Sequence, residues 1–338
     1  MMSKQRPQAG GRALAGAIII LSAGSVPLAA ANAKATIVTF DPQGSSRTEP
    51  RSINKGGSIV GEFVDGTDTT RGFLRTPDGT ITEITEIGQT VLDAVGINDN
   101  GQITGAWADG NFFFHCFERE PDGNSNSCDV GGAQQTTGNA INNHGVVTGS
   151  FLDAQGNHGF VWSNTGTVTF DAPGASQTTP EAINDNGVVA GDWIDAASAE
   201  HGFVRDAAGK LTEFDACGSA ATVATGINGA GAVTGFCVSN GVHGFIRDST
   251  GNITLFDVPG ATVTKANAIN KKGVVVGISE DAVGFLAFER HTDGTFKSFS
   301  VHNSPETEAT AINSNGVITG FLEDKRQSGI SHGFVRIP

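Results

Sequence analysis

Tyrosine is absent from the sequence, and no run of apolar residues is long enough to span a bilayer. Helix-forming residues do not gather into a periodic run either. Val, Ile, Thr and Phe instead occur in short runs separated by Gly, Asn, Asp and Pro, and 47 of the 338 residues are glycine. Short strands joined by tight turns have this pattern, so the sequence predicts an all-β protein.

Basic residues are scarce. The chain has 21 Lys and Arg against 35 Asp and Glu, which gives a net charge of −14. A surface of this sign repels the phosphates of nucleic acids and the headgroups of anionic lipids. We therefore expect neither nucleic acid nor a membrane surface as a partner.

Motifs for metal binding and catalysis are also missing. The sequence has no Cys-x-x-Cys pair of the kind that binds zinc, and no Gly-x-Ser-x-Gly that would present a nucleophilic serine. GAGAVTG at Gly229–Gly235 resembles a phosphate-binding loop, but no Lys-Ser or Lys-Thr follows it. We expect no metal and no cofactor, and the sequence contains no specific enzyme signature.

The first residues have the features of an export signal. A basic start, MMSKQRPQAGGR, precedes the apolar stretch ALAGAIIILSAG, and AANA follows as a small-residue cleavage site. We predict a signal peptide at 1–33 and a single domain at 34–338, with a retained N-terminal anchor as the alternative. The mature protein is expected to be a monomer that is secreted or periplasmic.

A nine-residue phrase occurs seven times at nearly constant spacing. Its copies are INKGGSIVG, INDNGQITG, INNHGVVTG, INDNGVVAG, INGAGAVTG, INKKGVVVG and INSNGVITG. Successive copies are 44, 44, 42, 44, 42 and 43 residues apart, with their Ile at Ile53, Ile97, Ile141, Ile183, Ile227, Ile269 and Ile312. A period of this length with four strands per unit is typical of a β-propeller blade. In the fourth unit the strands are predicted at EAIN, VVAGDWI, HGFVRD and KLTEFD.

The first and second strands of every unit are joined by Asn-x-x-Gly. Asn at the first position of a type I turn can bond its own backbone, and Gly at the fourth position accepts a positive φ. The recurrence therefore has a structural explanation and requires no common function. The residue before each Ile is small, as expected where inner strands crowd around a central axis.

Histidine and aspartate recur together with the same period. Two units have Arg71 and Val283 at the start of the third strand, whereas the other five have His115, His158, His201, His243 and His332. The fourth strands end in Asp, except at Thr85 and Ser300, which belong to those same two units. In an antiparallel pair the start of the third strand lies beside the end of the fourth, so we predict His–Asp hydrogen bonds.

One His and one Asp have no partner within their own unit. His332 has no following fourth strand, and Asp41 ends ATIVTFD, which has no preceding third strand. Pairing them places the N-terminal strand in the last blade and closes the ring without an exposed edge. We predict a seven-bladed β-propeller with four antiparallel strands per blade. The His–Asp pairs would then lie in separate blades, so they are interpreted as structural.

A family resemblance follows from these motifs. AINxxGxVxG is followed by a His-Gly-Phe triplet, whose His residues are His158, His201, His243 and His332. This pattern resembles the HAF-family extracellular repeats of bacteria, and it covers nearly all of residues 34–338. The resemblance implies an exported protein and no defined activity. Arg71, Cys116 and Val283 depart from the triplet, which is therefore not required in every blade.

The chain has four cysteines, which in an exported protein are expected to form two disulfides. Among the three possible pairings, the blade alignment selects one. Cys116 begins a third strand and Cys128 ends the fourth strand of the same blade. Cys217 enters the fifth blade and Cys237 ends its second strand, on the same face of the ring. We predict Cys116–Cys128 and Cys217–Cys237.

Binding residues are expected where the repeat varies at one mouth of the channel. The residues two before each Ile are predicted to begin the first strands at this mouth, and the candidate ligand contacts among them are Arg51, Asn139, Glu181 and Asn267. A solvated rim would show the same variation. The second blade adds Trp107 and Phe113 in AWADGNFFFHC, where aromatic rings would stack on a sugar or a peptide or pack in the core.

Two kinds of function remain open. The first is an exported scaffold or binding module that holds a glycan, a peptide or a protein at the channel mouth. The second is an extracytoplasmic enzyme such as a polysaccharide lyase, a lactonase or a hydrolase, because propellers host all of these. An enzyme should bring Arg51, Glu181 and a nearby His or Lys around one pocket with shifted pKa values. A binding module should show an aromatic or polar patch instead.

Overall fold

The computed structural model describes residues 35–86, 89–218, 221–282, 284–325, 327 and 329–338. The predicted signal peptide at 1–33 and the departure at Val283 lie outside the described residues. The described part consists of strands and turns, so the predicted all-β class is confirmed. None of these residues belongs to a helix that is long and apolar enough to cross a membrane.

The strands, β1 to β29 in chain order, fall into four sets by their place in the repeat. The first strands, which end at the repeated Ile, are β2 (Ser45–Ile53), β7 (Gln89–Ile97), β11 (Gln135–Ile141), β15 (Gln177–Ile183), β19 (Ala221–Ile227), β23 (Val263–Ile269) and β27 (Thr307–Ile312). The second strands are β3 (Ile59–Asp65), β8 (Ile103–Ala108), β12 (Val147–Leu152), β16 (Val189–Ile194), β20 (Val233–Val238), β24 (Val275–Glu280) and β28 (Ile318–Glu323).

The outer strands complete each set. The third strands are β4 (Thr70–Arg75), β9 (Phe114–Arg119), β13 (Asn157–Ser163), β17 (Glu200–Arg205), β21 (Val242–Arg247), β25 (Phe285–Arg290) and β29 (Ser331–Ile337). The fourth strands are β5 (Ile81–Glu83), β10 (Ser125–Ser127), β14 (Gly166–Phe170), β18 (Leu211–Phe214), β22 (Ile253–Phe256), β26 (Phe296–Phe299) and, at the N-terminus, β1 (Thr36–Phe40). A further two-residue strand, β6 (Thr85–Glu86), pairs with β7.

Strands that follow one another within a repeat pair antiparallel. In the fourth repeat β15 pairs with β16, β16 with β17 and β17 with β18. A single parallel residue pair, such as Glu200 with Ala221, then joins a third strand to the next first strand. The sheet orders are β27-β28-β29-β2-β3-β4-β5, with β1 on β29; β10-β9-β8-β7-β6; and β11-β12-β13-β15-β16-β17-β19-β20-β21-β23-β24-β25-β26, with β14 on β13, β18 on β17 and β22 on β21.

Each first strand contains a β-bulge two residues before its Ile. In β15 the register with β16 shifts between Pro180 and Ala182, so Glu181 is the extra residue. The corresponding residues elsewhere are Arg51, Val95, Asn139, Thr225, Asn267 and Thr310. The prediction that these residues begin their strands is wrong, because β15 already starts at Gln177. The bulge changes which side chains face inward and so breaks the alternation that marks a strand in sequence.

The Asn-x-x-Gly turns have the predicted geometry. In the fourth repeat the Gly187 N–H donates to the Asn184 carbonyl at 3.0 Å, and Gly187 has a φ of 73°. The Asn184 side-chain oxygen accepts the N–H groups of Asn186 and Val188 at 3.0 and 3.1 Å. The predicted bonding of the turn Asn to its own backbone is thus confirmed.

The same Asn side chain joins each turn to the next. Its Nδ2 donates to the main-chain carbonyl of the next Asn at 2.9 to 3.3 Å, in the order Asn54, Asn98, Asn142, Asn184, Asn228, Asn270, Asn313 and back to Asn54. The series of hydrogen bonds returns to the residue where it began. The last and first repeats are also joined through Thr310 Oγ1, which donates to the Pro50 carbonyl at 2.7 Å.

The apolar core lies between neighbouring repeats, because each cluster combines buried residues of two successive repeats. The Phe two residues after the His position of each third strand is fully buried: Phe73, Phe117, Phe160, Phe203, Phe245, Phe288 and Phe334. In the sixth repeat β25 begins at Phe285 and Leu286 takes the His position, so the sequence alignment that assigned this position to Val283 is wrong. One core cluster combines Ile53 and Phe73 with Phe40 of β1 and Val335 of β29, so it connects the two ends of the described chain. At the end of a third strand an Arg covers a neighbouring Phe, as Arg205 does over Phe170 at 4.7 Å.

The predicted His–Asp bonds are confirmed. His Nδ1 lies 2.7 to 2.9 Å from the nearest carboxylate oxygen in the pairs His115–Asp129, His158–Asp171, His201–Asp215, His243–Asp257 and His332–Asp41. Arg71 instead pairs with Asp65 and Glu83 at 2.6 and 2.7 Å. Both predicted disulfides, Cys116–Cys128 and Cys217–Cys237, are also confirmed.

Candidate functional site

Arg51, the first candidate ligand contact, is surrounded by carboxylates. Its Nη2 lies 2.8 Å from Glu62 and 3.3 Å from Glu49, and its Nε lies 3.9 Å from Asp93 Oδ1. Burial and the charge of Glu62 raise the pKa of Asp93 to about 7, against the opposing charge of Arg51. Three acids therefore surround one guanidinium, and Glu49 also contacts Arg47 Nε at 3.2 Å.

Asn139 and Asn267 connect neighbouring repeats. Asn139 Nδ2 donates to the Pro180 carbonyl at 2.8 Å, and Asn267 Nδ2 donates to the Ala309 carbonyl at 3.0 Å. Asn267 also donates to Glu308 Oε1 at 2.8 Å. A polar residue at the bulge thus bonds the next first strand, which occupies both amide N–H groups of Asn267 and one of the two of Asn139.

Glu181 belongs to a second group of acids in the fourth repeat. Asp192 of β16 is 7 % exposed, and Glu200 begins β17. Burial and the charges of Glu181 and Glu200 raise the pKa of Asp192 to about 8. Burial and Glu200 also raise the pKa of Glu181 to about 7. At neutral pH this group therefore holds protons that ordinary carboxyls would release.

A cavity of about 300 Å³ opens between the second and third repeats, and we call it the aromatic pocket. Its lining residues are Asp93, Val95, Ala106, Phe114, Thr137, Gly138 and Asn139. Asp93 Oδ1 is buried and makes no hydrogen bond within the described chain. Phe114 is 36 % exposed and presents part of its ring to the pocket. An apolar wall with a few polar groups is the usual make-up of a ligand site.

The turn that leads into Phe114 carries two further exposed rings. Phe113 is 43 % and Phe112 is 82 % exposed. Phe112 has a φ of 64°, and the corresponding residues of two other turns, Asp68 and Ser198, have φ values of 61° and 65°. This left-handed conformation suits small polar residues and is unfavourable for a bulky one. The sequence therefore keeps an exposed Phe where the backbone disfavours it.

Trp107 packs on the His of its own repeat, as Trp193 does at the same position of the fourth repeat. Its ring stacks on His115 with 4.4 Å between ring centres. Trp193 stacks on His201 in the same way at 4.6 Å. One face of the Trp107 ring is thus covered by the His115 ring, and the exposed aromatic surface here comes from the three Phe residues.

The structure brings some of the predicted residues together and separates others. Asn139 lines the aromatic pocket, Phe113 lies one residue from Phe114, and Arg51 contacts Asp93. Glu181 and Asn267 belong to other repeats, and the contacts described above for Arg51 are with acids other than Glu181. No group of three or more His, Cys, Asp or Glu within the described ranges is arranged to hold a metal ion.

Asp93, Asp192 and Glu200 are the residues that sequence reasoning did not select. Asp192 directly follows the last Gly of the nine-residue phrase, and in the second repeat this position is Ala106 of the aromatic pocket. Glu200 likewise takes the position of Phe114, since both begin third strands. An alignment of the second and third strands across the repeats would have shown this variation.

No family model and no curated protein matches the chain. Solved structures match it in fold. A streptogramin B lyase has a TM-score of 0.57 at 16 % identity, over 89 % of this chain and 97 % of that one. Virginiamycin B lyase of Staphylococcus aureus with quinupristin has a TM-score of 0.60 at 13 % identity, over 90 % and 100 %.

A third similar structure is the β-propeller domain of the Trilobed protease from Pyrococcus furiosus. Its TM-score is 0.61 at 10 % identity, over 86 % of this chain and 95 % of that domain. At these identities the likeness extends to the fold and not to the activity. The chain is similar to β-propeller proteins over nearly its whole described length, and it has an all-β, propeller-type fold.

Proposed function

We propose that residues 34–338 form a seven-bladed β-propeller in which β1 is the outer strand of the last blade. The hydrogen bonds from Asn54 through each turn Asn and back support seven units in a closed ring. The five-residue antiparallel pairing of β1 with β29 supports closure by the N-terminal strand. Closure in this way leaves no unpaired β29 edge to aggregate.

The protein is proposed to be an exported member of the HAF-type repeat proteins, secreted or periplasmic, with residues 1–33 removed as a signal peptide. The two disulfides support this location, because disulfides persist in oxidising compartments. Mass spectrometry of the purified native protein tests the cleavage, since an N-terminus at Lys34 is expected.

The activity proposed is binding of a glycan at the aromatic pocket. The observation that carries it is the part-exposed ring of Phe114 in the wall of a cavity that contains Asp93, with the exposed Phe112 and Phe113 directly before it in the chain. Exposed aromatic rings offer flat apolar surfaces on which the C–H face of a sugar ring packs. The carboxyl of Asp93 can accept or donate a hydrogen bond to a sugar hydroxyl near neutral pH.

A glycan array followed by calorimetry on the purified protein tests this activity. Phe114→Ala is expected to weaken binding about tenfold, as removal of a stacked ring costs on the order of 1–2 kcal/mol. Phe285→Ala is the matched control, because Phe285 also begins a third strand and is also 36 % exposed. If both variants bind alike, or if only peptides bind, the proposal is wrong.

Phe112 allows stability and binding to be separated. Phe112→Asn should relieve an unfavourable backbone conformation, because Asn tolerates positive φ, and it should raise the melting temperature slightly. The same change should weaken glycan binding. A variant that is more stable and still binds normally would show that the exposed ring has no part in the site.

A second candidate function is hydrolysis or elimination at the acids of the fourth repeat. The observation in its favour is that Asp192 and Glu181 retain protons at neutral pH beside Glu200. A carboxyl that keeps its proton near neutral pH is suited to act as a general acid. Turnover of uronates, lactones or esters that is lost in Asp192→Asn would favour this function over simple binding.

A further inference from the structure

The seven Asn-x-x-Gly turns surround a cavity of about 710 Å³, which we call the turn mouth. The turns lie at the opposite end of the second strands from the loop that carries Phe112. The second residue of every turn lines the cavity: Lys55, Asp99, Asn143, Asp185, Gly229, Lys271 and Ser314. These residues differ in size and charge, whereas the Asn and Gly that hold each turn are invariant along the chain.

In three turns the backbone N–H of this second residue is bonded by the side chain of the next turn. Lys55 N–H donates to Asp99 Oδ1 at 2.8 Å, and Asp99 N–H donates to Asn143 Oδ1 at 2.8 Å. Asn143 N–H donates to Asp185 Oδ1 at 3.0 Å. The same place in the repeat is therefore occupied three times by an sp² oxygen.

This series ends at Gly229, which has no side chain to bond the Asp185 N–H. A Cβ at Gly229 would have no atom within 4 Å, so the space is open. Within the described part of the chain, no protein acceptor is found for the N–H groups of Asp185, Gly229, Lys271 and Ser314. Free N–H groups that face a cavity can donate to an incoming ligand oxygen.

The charges around this open arc distinguish between anions. Lys271 and Lys55 lie on either side of Ser314, next to the free N–H groups. Asp185 adjoins this arc, Asp99 lies two turns away from it, and both carboxylates disfavour a doubly charged anion. A singly charged carboxylate suits both the nearby lysines and the nearby acids. Its oxygens are of the same sp² type as the side-chain oxygens of Asp99, Asn143 and Asp185, which bond the preceding turns.

We propose that the turn mouth binds a carboxylate, with one oxygen on the Asp185 N–H beside Gly229 and with Lys271 as its counter-charge. The site is separate from the aromatic pocket and does not depend on glycan binding there. Two sources supply such a carboxylate: an acidic sugar and the C-terminus of a peptide.

Calorimetry with two matched pairs of probes tests the proposal and separates the sources. D-galacturonate is compared with D-galactose, and acetyl-glycyl-glycine with its amide. At least one acid is expected to bind and its neutral counterpart not to. No binding of either acid, equal binding of acid and neutral partner, or stronger binding of inorganic phosphate would overturn the proposal.

Gly229→Asp places a carboxylate oxygen in the open space beside the Asp185 N–H, as Asp185 itself does beside the Asn143 N–H. It should weaken carboxylate binding about tenfold or more, because a charge-assisted hydrogen bond is lost and a negative charge is added. Its melting temperature should not fall, since the new side chain bonds the Asp185 N–H. Unchanged binding in a folded Gly229→Asp protein would contradict the proposal.

A second test leaves Gly229 unchanged and compares carboxylate binding by the variants Lys271→Gln and Lys272→Gln. Lys272 is the third residue of the same turn and does not line the cavity. The Lys271 variant should weaken binding several-fold and reduce its dependence on salt, while the Lys272 variant should bind as the wild type. Equal effects of the two would mean that only the general charge of the surface matters.

Discussion

Single ionisable residues control how the stability of this protein depends on pH. Burial alone would lower the pKa of His201, but its hydrogen bonds and charge interactions with Asp215 and Asp195 hold that pKa above the ordinary value. A raised histidine pKa stabilises the folded state below the pKa of the unfolded chain. This contribution is lost as the pH rises through the folded pKa.

His201→Ala should therefore lower the free energy of unfolding by about 1 kcal/mol or more at pH 5 and by less at pH 8.5. Urea unfolding at the two pH values measures the difference. His144→Ala, at an exposed turn position, is the control and should show little loss at either pH. Glycan binding at the aromatic pocket should persist in the folded His201 variant, and an equal loss of stability at both pH values would refute the interpretation.

Asp192 should also make the folded protein less stable as the pH rises, in this case because its carboxyl is buried. Its raised pKa of about 8 means that the folded state holds a proton that the unfolded chain releases at lower pH. Stability is thus greatest below the ordinary aspartate pKa and falls as the pH rises towards and through 8. Asp192→Asn removes this loss, which is on the order of a few kcal/mol at pH 8.5.

The stability difference between Asp192→Asn and wild type should therefore grow from pH 5 to pH 8.5, in favour of the variant. Chemical unfolding across this range measures it. Glu213→Gln, which changes an exposed carboxyl of β18, is the control for the loss of a surface charge. A flat difference for Asp192→Asn would show that Asp192 is ionised in the folded protein.

At the scale of the element, the last Gly of the nine-residue phrase is required by the bulge of the strand beside it. A Cβ at Gly191 in β16 would overlap the Thr179 carbonyl oxygen of β15 and the ring of Phe203. Corresponding overlaps with the neighbouring first strand occur at Gly61, Gly105, Gly149, Gly235, Gly277 and Gly320. The close approach of the two backbones therefore explains why this position is Gly in all seven repeats.

Gly191→Ala should destabilise the protein by about 3 kcal/mol, because backbone atoms of two paired strands would have to move apart. Thermal and urea unfolding measure the effect. Gly131→Ala is the control, since a Cβ there would meet nothing within 4 Å and its backbone has no positive φ. Equal stability of the two variants would mean that β15 and β16 separate at little cost.

At the scale of the whole molecule, β1 is expected to hold the last repeat in place. It pairs with β29 from Thr36 to Phe40, and Phe40 belongs to the core cluster that also contains Val335. Removal of residues 35–41 would expose the edge of β29 and take Asp41 away from His332. An unpaired edge strand promotes association with other chains.

A protein that lacks residues 35–41 should therefore melt at a lower temperature and form oligomers or aggregates. Light scattering after size-exclusion chromatography and thermal unfolding measure both effects. Asp41→Asn, which keeps β1 but removes the carboxylate charge, should cost far less and should stay monomeric. A deletion variant as stable and monomeric as the wild type would contradict closure by β1.

The sequence by itself determined the all-β class, the Asn-x-x-Gly turns, the His–Asp pairs and both disulfides. Each of these depends on residue types that recur at a fixed period, so that a relation found in one repeat holds in the others. The partner of Asp41 was predicted for the same reason, since His332 was the only His at the start of a third strand that lacked an Asp.

Only the tertiary structure decided which candidate residues meet. The bulge in each first strand comes from contact with the second strand and is not encoded in a local pattern, so the strand starts were predicted wrongly. The aromatic pocket joins Asp93 and Asn139 of two repeats. The raised pKa of Asp192 arises from burial and then from the charges of Glu181 on β15 and Glu200 on β17. Burial and charge depend on neighbours that are distant in sequence, and these neighbours are known only once the sheets have packed together.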